Sequence, residues 1–145
     1  MSFSAQLLAL KSTLTTFRDV GVSRVFLPMP EELVGADWCP FVGIQPDSFL
    51  AQASNVTTWV LPVTINWFHE GFPDDIEYEV SALMWDIPQE LFRHLAADEA
   101  LAEVTYGLSF AEPTGSAGVL AWHAQMYAGA SLVIRLKEKE NTIWA

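Results

Sequence analysis

The chain has 145 residues and carries 18 acidic against 7 basic side chains, a net charge of −11 with a pI near 4.4. That length suits one domain, residues 1–145, able to bury roughly 68–70% of the surface its unfolded chain exposes. An acidic excess of this size repels phosphate, which excludes adhesive binding to nucleic acid and favours a basic partner over an acidic one.

The first element in chain order is an amphipathic helix. Phe3, Leu7, Leu10, Leu14 and Phe17 recur at four- and three-residue steps and share one face. Ser2 or Ser4 can cap its start, and Gly21 is placed to end it. A short strand, Arg24 to Leu27, runs into Pro28 and Pro30, which forbid regular pairing. A second apolar run, Trp38 to Gln45, closes at Pro46-Asp47. Between Val25 and Phe92 there is no lysine or arginine, while eleven acids fall in that span. The other seven acids balance the seven bases, so the whole net charge belongs to the middle of the sequence.

From Thr57 to Phe68 the period becomes two. Trp59, Leu61, Val63, Ile65 and Trp67 alternate with Thr58, Val60, Pro62, Thr64 and Asn66, which predicts a long strand with one buried face. Pro62 has no donor and argues for a sheet edge or a bulge. His69 to Pro73 reads as a turn, and Asp74 with Glu77 resembles a capping box opening a second helix. That helix buries Ile76, Val80, Leu83 and Ile87. Pro88 kinks or breaks it, and Leu91, Phe92 and Leu95 continue beyond, with Asp98-Glu99 at the exit.

The last third predicts a hairpin. Ala102 to Phe110 alternates, Pro113-Thr114-Gly115-Ser116 has turn chemistry, and Val119 to Tyr127 and Leu132 to Leu136 return, bent at Gly129. Residues 137–145 form a charged, solvated end. The stretch Pro113 to Ile134 has no formal charge, but its Thr, Ser, His, Gln and Gly content would be costly in hydrocarbon, so no membrane span is expected. The N-terminus lacks the basic region and continuous apolar run of a secretory signal. The fold class is therefore α+β, a mainly antiparallel sheet with an N-terminal helix and a kinked central helix packed on it.

Chemistry-bearing residues are sparse. The histidines are His69, His94 and His123. None has metal-ligand spacing, and His94 pairs by default with Glu90 one turn back. Cys39 is the one cysteine, with no base near it in sequence to activate it, and no phosphate-cradling glycine loop occurs. No catalytic residue, cofactor or metal is expected. Six tryptophans and nine phenylalanines exceed what a small core obviously needs and point either to apolar surface destined for another subunit or to a dense aromatic core.

Three stretches carry a resemblance. They are LLALKSTLTTFRDVGVSRVFLPMP; WCPFVGIQP with the later TTWVLPVTINWF; and DDIEYEVSALMWDIPQEL leading to a hairpin that finishes in YAGASLVIRLKE. Together they resemble the tail terminator, or tail-completion, proteins of long-tailed bacteriophages and gene-transfer-agent particles. The resemblance implies a structural virion protein, assembled in the host cytoplasm, that forms a ring, commonly a hexamer. Such a ring sits at the head-proximal end of the tail tube, ends tube polymerisation and joins tail to neck. Its partners are copies of itself, the tube protein and neck or head-completion proteins, and DNA passes without specific binding. On that reading Glu70, Asp74 and Asp75 are candidate channel- or partner-facing acids, and Trp38, Trp122 and Met126 candidate subunit-interface residues. The alternative is a small α+β enzyme or ligand-binding domain with an aromatic pocket near His69 and His123.

Overall fold

The computed structural model describes residues 3–28, 38–48, 50–52, 57–71, 78–98, 109–122 and 125–140. Within them, helix α1 (Phe3–Leu14) leads through two short 3-10 turns, Phe17–Asp19 and Val22–Arg24, into strand β1 (Val25–Phe26). Strands β2 (Phe41–Pro46), β3 (Leu50–Gln52) and β4 (Thr57–Gly71) follow. Helix α2 (Tyr78–Ala96) precedes β5 (Ser109–Trp122) and β6 (Gln125–Glu140). The six strands form one sheet in the order β1-β2-β4-β6-β5, with β3 also paired to β4. Only the β1–β2 pair is parallel, so the architecture is the expected α+β with a mainly antiparallel sheet.

Both helices lie on one face of that sheet. Leu10 and Leu14 of α1 and Ile87, Leu91 and Leu95 of α2 bury against Leu61, Val63, Ile65 and Trp67 of β4 and against Leu132, Ile134 and Leu136 of β6. The two-residue period of β4 produces this: every second side chain enters the same core, as its sequence predicts. Phe3 and Leu7 flank the core as half-buried partners.

Helix α1 ends at Leu14 instead of running to Gly21. The reason is a threonine cluster whose hydroxyls take backbone carbonyls. Thr13 Oγ1 donates to Ala9 O (2.9 Å), Thr15 Oγ1 to Ser12 O (2.6 Å) and Thr16 Oγ1 to Thr13 O (2.9 Å). Arg18 and Asp19 then adopt positive φ (48° and 54°), and Gly21, at φ 90°, donates its N–H to Thr15 O. Gly21 thus closes the turn region and not the helix itself.

Pro62 sits in the central strand, not at an edge or a bulge. Its carbonyl accepts from Asp47 N–H (2.9 Å), just after β2 ends opposite Val63 and before β3 begins opposite Val60. In an extended residue the N and C=O point the same way, so the absent donor faces the break between β2 and β3. The turn predicted from His69 to Pro73 is replaced by strand as far as Gly71, where β4 ends, and Phe72 and Pro73 lie outside the described residues. Phe68 pairs with Gly129 and Gly71 with Tyr127, so β4 carries one extra residue, a bulge at His69-Glu70.

Helix α2 is not broken at Pro88; one helix runs through it. Pro88 lies against β5, where a Cβ on Gly115 would stand 2.6 Å from Pro88 Cβ. The expected turn Pro113 to Ser116 is therefore strand. Ser109 pairs with Arg135 and Thr114 with Val133, leaving four residues of β5 between these pairs opposite one of β6, so Pro113 falls within an irregular stretch of a strand at the end of the sheet path. The hairpin instead reverses between the paired Trp122 and Gln125, which corrects the continuous strand expected from Val119 to Tyr127. No bend ends pairing at Gly129, since β6 pairs on both sides of it. Strand β6 also runs into the expected charged end, because Lys137 to Glu140 pair with Val60 to Thr57. The expected cap at Asp74 and the strand from Ala102 to Leu108 lie outside the described residues.

Candidate functional site

The side chains of β4 that alternate away from the helices point to a second sheet face. Near one end of that face Phe41, Phe68 and Tyr127 form a buried aromatic cluster, with Phe26, Cys39, Leu120 and Trp122 half-buried around it. Phe41 stacks on Phe68 at 4.4 Å between centroids and 13° between planes, and Tyr127 meets both edge-on at 5.7 and 5.4 Å. Phe26 extends the cluster at 6.0 Å from Phe41, and Trp38 meets Phe26 at 6.4 Å. Trp38 is 45% exposed, one of three large exposed hydrophobics with Leu8 and Val22 among the described residues.

Beside the cluster lies an open groove of about 380 Å³, lined by Gln45, Asn66, Phe68, Leu120, Ala121 and Trp122. Among the described residues the lining holds no charged side chain. Gly129 makes the close packing here possible, because a Cβ on it would meet Trp67 O at 2.4 Å and Leu120 Cδ1 at 2.7 Å. Burial, and secondly the nearby Cys39, push the Tyr127 hydroxyl above its ordinary pKa. Arg24 donates from its guanidinium to Cys39 O (3.3 Å), so a base distant in sequence fixes the backbone next to Trp38.

A second constellation joins the two helices. Arg18 forms an ion pair with Glu90 (2.7 Å) and lies 5.9 Å from the Trp67 ring. His94 does not pair with Glu90. Its Nε2 lies 2.9 Å from Thr13 O and 3.0 Å from Thr16 Oγ1, and since a carbonyl only accepts, Nε2 carries the proton. Its ring meets Phe17 edge-on at 5.4 Å. His69 stacks on Trp67 at 5.3 Å, on the helix side of the sheet and not in the groove. This arrangement ties helix ends together and presents no nucleophile–base pair.

The structure thus brings Trp38 and Trp122 to one aromatic cluster, Trp38 through Phe26. Met126 lies on β6 opposite Ala121, and Glu70 lies in the β4 bulge. Asp74, Asp75 and His123 lie outside the described residues, and among the described residues no group of three or more His, Cys, Asp or Glu could hold a metal. Phe41 and Tyr127 were missed as site residues. Their signal was the phase of the strands, since Phe68 shares the register of Thr64 and Asn66, the face taken to be polar. No helix in the described residues is long and apolar enough to cross a membrane. No protein-family model matches the chain, and no curated protein matches it significantly.

Proposed function

We propose that this chain is a non-catalytic, ring-forming virion subunit of the tail-terminator kind. It sits at the head-proximal end of a tail tube, ends tube growth and joins tail to neck. The observation that carries this reading is the aromatic end of the second sheet face, where a buried ring cluster continues outward to the exposed Trp38 and to a groove uncharged among the described residues. Contiguous apolar surface at one end of a sheet marks an association site more often than a lone exposed side chain does. A closed ring needs two complementary patches per subunit, and an acidic lumen repels the DNA that passes through it. The resemblance in three stretches covering most of the chain supplies the particular kind of ring. Glu70, Asp74 and Asp75 belong to the acidic central span and are the acids assigned to the channel or the neck.

Isolated tail tubes incubated with the purified chain and viewed by electron microscopy provide the test. Density at one end only, with tube growth stopped there, is the expected outcome; binding along the wall, or none, rejects the reading. The groove favours one second reading, a ligand-binding domain, in which Trp122→Ala abolishes binding of a small molecule and leaves assembly unchanged.

A further inference from the structure

We infer that the exposed Trp38 of one copy inserts into the groove of the next, which makes this pair the junction that closes the ring. The inference rests on the ring reading above and assigns its contact. Trp38 does not line the groove of its own chain. Three ring-to-ring steps separate them, Trp38 to Phe26, Phe26 to Phe41 and Phe41 to Phe68, and Phe68 forms the groove wall. Projection and recess are therefore distinct patches, as an interface between unlike surfaces of identical subunits requires.

Charge selects a second copy as the occupant. Copies of a −11 chain repel, so they approach at least cost where neither surface is charged. Among the described residues the groove is lined by amides and apolar groups, and an indole brings no charge to it. A basic partner would gain nothing electrostatic from such a recess. The chemistry of the lining also fits an indole. Phe68, Leu120 and Trp122 offer apolar contact, and Gln45 and Asn66 bring amide oxygens that can accept from Nε1–H. Trp38 is presented in advance, since its neighbour Cys39 is half-buried in the cluster and held through its carbonyl by Arg24. An anchor fixed before contact loses less entropy on binding.

The test compares the masses of four samples by sedimentation over a range of concentrations: the full chain, Trp38→Ala, Gln45→Glu, and an equimolar mixture of the two variants. Gln45 is exposed and lines the groove, so glutamate there charges the recess without entering the core. The full chain assembles, and each variant alone associates about thirty-fold more weakly, the scale of a buried tryptophan anchor. The mixture recovers a two-chain complex, because one variant keeps the recess and the other keeps the projection. Unchanged thermal melting of both variants shows that the fold is intact. A full chain that assembles together with a Trp38→Ala variant that assembles equally well overturns the inference and leaves the ring reading standing. A full chain that stays monomeric at every concentration overturns both.

Discussion

At the scale of single residues, two contacts that α2 makes with the end of α1 and the turn after it differ in worth. Arg18 and Glu90 are 32% and 42% exposed, so their ion pair is screened and contributes about 0–1 kcal/mol. His94 is half-buried, donates to a backbone carbonyl and meets Phe17 edge-on. His94→Ala is expected to cost about 1–3 kcal/mol, from a net hydrogen bond and an aromatic pair at about 0.5–1.5 kcal/mol each. Glu90→Gln is expected to cost less than about 1 kcal/mol. Urea midpoints of the two variants rank them, and a larger loss from Glu90→Gln would contradict the assignment. Tyr127 makes a second residue-level prediction. Its folded pKa is raised, so the folded state keeps a proton that the unfolded chain releases near 10.0. The stability tied to that proton is complete below pH 10 and is lost as pH rises from there through the folded value. Melting temperature therefore falls above pH 10, and Tyr127→Phe removes that part of the slope.

At the scale of elements, close approach decides where glycine is required. Gly129 lets β6 pass Trp67 O and the Leu120 side chain, and a methyl there would collide with backbone. Gly118, its pairing partner on β5, has open space around its missing Cβ but sits at φ 142°. Gly129→Ala is expected to lose at least the upper end of about 1–3 kcal/mol through overpacking, whereas Gly118→Ala loses about 1 kcal/mol of backbone strain. Denaturant unfolding of the two variants checks the order. These glycines also show how far the sequence could be read. The alternation of Trp59 to Trp67 and the spacing of Leu7, Leu10 and Leu14 follow from burial on one side, so β4 and α1 were legible. Pro113 to Ser116 carried turn chemistry, yet Gly115 is there to admit Pro88 of α2, a long-range demand that local composition does not reveal. Pro62 likewise depends on where two neighbouring strands happen to break. At the candidate site, Trp38 and Trp122 were visible as surplus aromatics. The cluster that unites them draws on β1, β2, β4, β5 and β6, and no sequence window contains it.

At the scale of the whole molecule, the two sheet faces divide the work. The face under the helices supplies the main core, while the other ends in rings that reach the surface. Opposing the proposed apolar attraction between copies is a charge of −11 on each. Salt shortens the Debye length from about 30 Å at 0.01 M to about 8 Å at 0.15 M, so association should strengthen with ionic strength, the reverse of an ion-paired interface. The most direct test of the central claim is the mass of the intact chain by light scattering, followed over concentration at 0.01 M and 0.15 M salt. A closed multiple of 16.1 kDa, six chains by the family resemblance, forming more readily at the higher salt, is the predicted result. A constant 16.1 kDa at every concentration and both salts would contradict it.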